Sequence, residues 1–94
     1  MSTRSIELEL RFLQQRWRDG DFVIGRAKLC NGSIKLAQEH GIDSEELIIK
    51  GDAPADDLQS KQTYRFYGRF ETYRDERQFK FTHYVPAVAH DREG

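Results

Sequence analysis

Apolar and polar side chains alternate at the start of the chain, where Ile6, Leu8, Leu10 and Phe12 are separated by Glu7, Glu9 and Arg11. A period of two belongs to a β-strand, whose successive side chains point to opposite faces, so this segment has one dry face and one wet face. Asp19-Gly20 predicts a tight reversal, since glycine readily supplies the positive φ such turns need. "DFVIGRAKLC" then reads as a second strand pairing back onto the first. Gly25 inside it has no side chain to pack, which suits a bulge or a sharp bend.

Residues 31–44, "NGSIKLAQEHGIDS", carry two patterns. Ser33 could cap a short helix over residues 33–41 ended by Gly41, and Ile34 with Leu36 could also continue a strand; the helix or an irregular excursion is preferred. "EELIIKGD" predicts a short third strand, and "APADDLQSKQ" a connector that Pro54 keeps out of a strand interior, with Leu58 as its anchor to the core. Residues 63–84, "TYRFYGRFETYRDERQFKFTHY", predict a hairpin. In its first strand Tyr64, Phe66, Gly68 and Phe70 share the inner side, opposite Arg65, Tyr67, Arg69 and Glu71. In its second Phe79 and Phe81 point inward, with His83 on the same inward phase, while Gln78, Lys80, Thr82 and Tyr84 point out. Pro86 ends that strand, giving one domain over residues 5–86 and a flexible C-terminal tail over residues 87–94.

Five strands with little helix leave unpaired edges unless the sheet closes. The expected fold is therefore all-β, a five-stranded OB-like Greek-key barrel, with an SH3-like barrel as the structural alternative.

Ninety-four residues suit a single domain. A charged fraction of 33% and a mean hydropathy of −0.80 describe a soluble chain, and 12% aromatic residues exceed what a disordered one carries. The net charge of −1 is not that of a strong sequence-independent DNA binder. It hides an asymmetry, because residues 61–84 hold six basic and three acidic side chains. The same hairpin region holds eight of the eleven aromatics. Cys30 is the sole cysteine, so no intramolecular disulfide can form and a reducing cytoplasm is the expected location. There is no signal-peptide-like start and no run of 18 apolar residues.

Catalytic chemistry finds little footing. His40, His83 and His90 are far apart and no H-x-x-x-H, C-x-x-C or G-x-S-x-G arrangement accompanies them. Asp56-Asp57 and Glu45-Glu46 are adjacent carboxylates that an extended chain sends to opposite sides, which is poor geometry for acid–base work. The expectation is a protein that is not an enzyme and holds no cofactor or metal.

From Leu47 onward the order of features, "LIIKGDAP", a polar connector, "TYRFYGRFETY" and "ERQFKFTHY", resembles the small OB-like domain near the N-terminus of RecD-like superfamily 1 DNA helicases, related to the exonuclease V α subunit. The residues carrying the likeness are Lys50-Gly51, Ala53-Pro54, Tyr64 with Gly68 and Phe70, and Arg77-Gln78-Phe79-Lys80. The first hairpin also fits, extending the similarity over most of residues 5–85. Asp75-Glu76 departs from the family's Tyr-Gly turn, and the 31–44 excursion is longer than the family's connection. No G-x-x-x-x-G-K-[ST] loop occurs. The resemblance implies a helicase accessory domain, without ATPase activity of its own, that binds single-stranded DNA weakly or orients a motor domain.

OB-folds bind single strands across strands two and three, with cations following phosphates and aromatic rings stacking on bases. The expected nucleic-acid-binding residues are Arg26, Lys28 and Lys50 on those strands, with Phe22 as a candidate platform. Arg65, Tyr67, Arg69, Tyr73, Lys80 and Tyr84 join them from the outer face of the hairpin, and Trp17 from the first turn. Arginine and tyrosine also serve cross-strand pairing on any outer β-surface. The competing function is a protein–protein interaction module that docks through the aromatic hairpin or an exposed sheet edge.

Overall fold

A computed structural model describes residues 5–87. Five strands, β1 (Ile6–Asp19), β2 (Phe22–Leu29), β3 (Glu46–Asp52), β4 (Thr63–Tyr73) and β5 (Glu76–Pro86), form a closed barrel in the order β1-β2-β3-β5-β4. β3 and β5 run parallel and every other neighbouring pair is antiparallel. This is the OB-like all-β architecture. Closure between β1 and β4 removes the open edges that a five-stranded sheet would expose, so the edge expected for strand-addition docking is absent along the described barrel.

The alternation in the sequence is the cause of the core. Leu8, Leu10, Phe12, Val23, Ala27, Ile49, Phe66, Phe79 and Phe81 are all buried, while the residues of opposite parity that flank them on β1, β2 and β4 are exposed or half-buried. Phe66 packs against Phe81 with ring centroids 5.1 Å apart, and Phe70 against Phe79 edge to face at 5.1 Å. Burying each such ring contributes roughly 1.5–3 kcal/mol.

Glycine marks where strands cross too closely for a side chain. A Cβ on Gly68 would lie 2.0 Å from the Lys80 carbonyl oxygen, and one on Gly25 would meet both the Gln14 carbonyl and the Phe12 ring at 2.8 Å. Gly25 is thus the bend residue; the bulged residues lie on its partner strand, where the register slips between Phe12 and Gln14 and again between Gln15 and Trp17. The two slips let β1 bend around the barrel end.

Helix α1 spans Asn31–Glu39, two residues earlier than the sequence predicts at its start. Ser33 is not its cap. It is buried in the first turn, and its Oγ accepts a 2.8 Å hydrogen bond from the Glu9 amide, tying the helix to β1. Gly41 terminates the helix as expected: at φ +92 it donates to the Gln38 carbonyl while the Ile42 amide donates to that of Ala37. That paired geometry is a Schellman ending. Ala37 and Ile42 are buried, so α1 closes one end of the barrel.

The connector between β3 and β4 is held by Tyr64, whose hydroxyl accepts from the Gln59 amide at 2.7 Å and donates to the Asp57 carbonyl. Leu58 packs against the core, as its apolar character in a polar stretch implies. Residues 88–94, most of the expected tail, lie outside the described residues, as does His90.

One inserted residue changes the sidedness of β5. Gly68 pairs with Phe81 and Tyr67 with His83, which leaves Thr82 as a bulge. The bulge reverses the alternation beyond it. His83, expected inward, is exposed and stacks on Tyr67 with centroids 4.6 Å apart and planes 6° from parallel. Tyr84, expected outward, is half-buried and packs against the Phe66, Phe81 and Tyr64 rings.

Candidate nucleic-acid interface

Pairing register places one residue from each strand in a single row across the outside of the barrel. Trp17 is opposite Ile24, Ile24 opposite Lys50, Lys50 opposite Lys80, and Lys80 opposite Arg69. With neighbouring strands about 4.8 Å apart, the row runs roughly 19 Å around the curved surface, perpendicular to the strands. An aromatic and an aliphatic side chain occupy one end, and three cations occupy consecutive strands at the other.

Like charges directly opposite each other destabilise a sheet by roughly 0.2–1 kcal/mol per pair. Only one of the three is neutralised locally. Lys50, whose side chain is 16% exposed, pairs with Glu71 at 3.5 Å and lies 5.2 Å above the Tyr73 ring. Lys80 and Arg69 are exposed, and neither forms an ion pair among the described residues.

Trp17 is half exposed at the other end and meets Phe22 edge to face at 6.2 Å. Two aromatic rings therefore stand together where β1 turns into β2. Ile24 and Ile48, half-buried, lie on the same outer face, so the middle of the β2–β3 surface is apolar.

The remaining expected residues separate into groups. Arg26 is exposed on β2 and pairs with Glu46 at 3.3 Å; Lys28 lies 3.9 Å from Glu45. Both belong to the β2–β3 surface, and both have a carboxylate that an incoming phosphate must displace. Arg65 and Tyr67 lie in the first half of β4, Arg65 reaching toward β1 and Tyr67 toward β5. Arg65 pairs with Glu7 at 3.7 Å and Tyr67 is stacked on His83, away from the Trp17 end of the row. Tyr84 leaves the outer face of the hairpin, since the bulge turns its half-buried ring toward the core and its hydroxyl donates to the Asp57 carboxylate. Burial, together with that hydrogen bond, pushes its phenol pKa well above the ordinary tyrosine value. Tyr73, at the tip of the β4–β5 hairpin, is exposed between Lys50 and Arg74.

Cys30 is half-buried, and desolvation, reinforced by Glu9, raises its thiol pKa. That is the environment of a packed thiol rather than a nucleophile. Among the described residues no three His, Cys, Asp or Glu side chains converge in a way that could hold a metal ion.

Sequence reasoning missed the carboxylates. Glu7, Glu45, Glu46 and Glu71 each cover a cation that alternation alone presents as free. It also missed Ile24 and Ile48, although their outward parity on β2 and β3 was a readable sign of a partly apolar surface.

No family model matches the chain. No curated protein matches it by sequence. In structure, the chain is similar to one chain of a replication protein A heterotrimer bound to ssDNA, with a TM-score of 0.65 and 10% identity over 97% of its length. It spans 63% of the length of that chain, and at this identity the similarity is one of fold.

Proposed function

We propose that this chain is a non-catalytic OB-fold domain that binds single-stranded DNA weakly along the row from Trp17 to Arg69. As the sequence resemblance implies, it would serve a RecD-like helicase or a relative in the cytoplasm, either holding the strand or orienting the motor domain. The observation that carries DNA binding is the placement of Lys50, Lys80 and Arg69 on adjacent strands in one register row. Such a row opposes folding in isolation and becomes favourable when phosphates lie across it. Trp17 and Phe22 provide the second component, since stacking on an aromatic ring is worth about 1–3 kcal/mol per base and tolerates any sequence. A heterotrimer bound to ssDNA among the structures of this fold adds support. The helicase connection rests on the sequence resemblance alone.

The test is anisotropy of a labelled oligothymidylate across a salt series. Three phosphate contacts on a single strand give a log–log slope of about −2, and Lys80→Ala or Arg69→Ala should each make it shallower by about 0.7. Trp17→Ala should weaken binding without altering the slope. No binding at micromolar protein in low salt would end this proposal.

A second reading, docking of a partner protein on the aromatic hairpin, is favoured by one surface. Tyr67 and His83 form an exposed-face stack on β4 and β5, near Val85, which is also exposed. Binding that persists at high salt and is lost in Tyr67→Ala, with no oligonucleotide binding, would support it.

A further inference from the structure

The seam between β3 and β5 is the shortest in the barrel. Only Ile48, Ile49 and Lys50 pair with Gln78, Phe79 and Lys80. The backbones stay close one residue further, since a Cβ on Gly51 would lie 2.5 Å from the Phe81 carbonyl oxygen, and past that contact β3 ends at Asp52 while β5 reaches the Thr82 bulge. On the outside of this crossing lies a cleft of about 360 Å³ lined by Phe22, Gly51, Asp52, Lys80, Phe81 and Thr82. Lys80 belongs to the cationic row, and Phe22 is the ring that meets Trp17, so the cleft adjoins the row on the side of its aromatic end.

Asp52 is the unusual member. It is exposed at the end of β3, opposite Phe22. The ion pairs among the described residues engage Glu7, Glu45, Glu46 and Glu71 and leave Asp52 without a cation within 4.0 Å. No side-chain hydrogen-bond donor reaches it either. A free carboxylate repels phosphate and offers only acceptors. What it can receive from a nucleic acid is a base edge that presents donors.

Resting on the proposed single-strand binding, we infer that this cleft takes one base and that Asp52 selects guanine. The Watson–Crick edge of guanine carries two adjacent donors, N1–H and the exocyclic N2 amino group, which match the two oxygens of a carboxylate. Adenine and cytosine each place a ring-nitrogen acceptor beside their single amino donor, and thymine flanks its one N–H with carbonyls; those acceptors would face the carboxylate. Phe22 supplies an apolar ring for the base, and Lys80 at the cleft's margin receives the neighbouring phosphate. The domain then has a base preference at one position within an otherwise sequence-tolerant site.

The experiment compares three labelled strands of about a dozen nucleotides, a length within the ~4–16 nucleotides one OB-fold covers. One is plain oligothymidylate, one carries a single central guanine, and one carries inosine there, which lacks the N2 amino group. The full chain should bind the guanine strand about tenfold more tightly than the inosine and thymine strands, the size expected of a good bidentate contact. Asp52→Ala should remove that discrimination and, by deleting an acid beside the phosphate path, strengthen binding to plain oligothymidylate. Lys80→Ala should weaken all three strands alike. Equal affinity for the three strands, or a preference that survives in Asp52→Ala, overturns the guanine assignment and leaves single-strand binding standing. Absence of binding to every strand overturns both.

Discussion

At the scale of single residues, Tyr84 and His83 exchange the places that strict alternation assigns them, and each carries a measurable consequence. Tyr84 keeps its phenol protonated in the fold because ionisation would put a charge beside the core and next to the Asp57 carboxylate. A folded-state pKa above the unfolded value of 10.0 means that the native state holds its proton longer than the unfolded chain does. Its contribution to stability is therefore complete below about pH 10 and declines as pH rises above that value. Urea denaturation between about pH 8 and about pH 11 should show stability falling at the alkaline end, and Tyr84→Phe should remove part of that slope. An unchanged slope in the variant would mean that the phenol is not held this way. The inner residues of the hairpin were readable because phenylalanine at every second position has no other reason to recur; Phe66, Phe70, Phe79 and Phe81 are all buried. Sidedness past Phe81 was not readable, since Thr82 is an ordinary strand residue and nothing local marks it as the extra one.

At the scale of elements, two glycines in different settings should respond to the same substitution with opposite sign. Gly68 sits where β4 crosses β5 with no room for a methyl group against the Lys80 carbonyl. Gly68→Ala must push the two strands apart, and a stability loss of about 2 kcal/mol or more is expected. Gly32, exposed in α1 with open space around it and no positive φ, should tolerate alanine and gain about 0.5–1 kcal/mol from reduced backbone freedom. Thermal denaturation of the two variants decides both signs. The strands were legible from period-two patterning and the end of α1 from Gly41, whereas its start was not. Ser33 looks like a cap in sequence, but the closer demand on its hydroxyl is the Glu9 amide, a partner 24 residues away that only the folded chain supplies.

At the scale of the whole molecule, the barrel is closed but unevenly held. β1 pairs along much of its length with β2 and β4, and β4 pairs with β5 from Tyr64 to Tyr73, while the parallel β3–β5 seam is three residue pairs long. Amide exchange should accordingly be slowest around Leu8, Leu10 and Phe66 and faster at Asp52, the exposed end of β3 beyond that seam. Uniform protection around the barrel would contradict that picture. The cationic row also exists only at this scale. Lys50 and Lys80 are thirty positions apart and their adjacency depends on a parallel pairing that no local pattern announces. The barrel could be inferred from alternation and the row could not, because the first is a property of neighbours in sequence and the second of neighbours across a seam.

The bulge at Thr82 makes the sidedness of β5 beyond Phe81 a matter of residue count rather than residue identity. Delete that threonine and every ring beyond it trades inside for outside, although not one of those letters has changed. In this chain the count of residues along β5, more than any single letter, decides which rings meet the core.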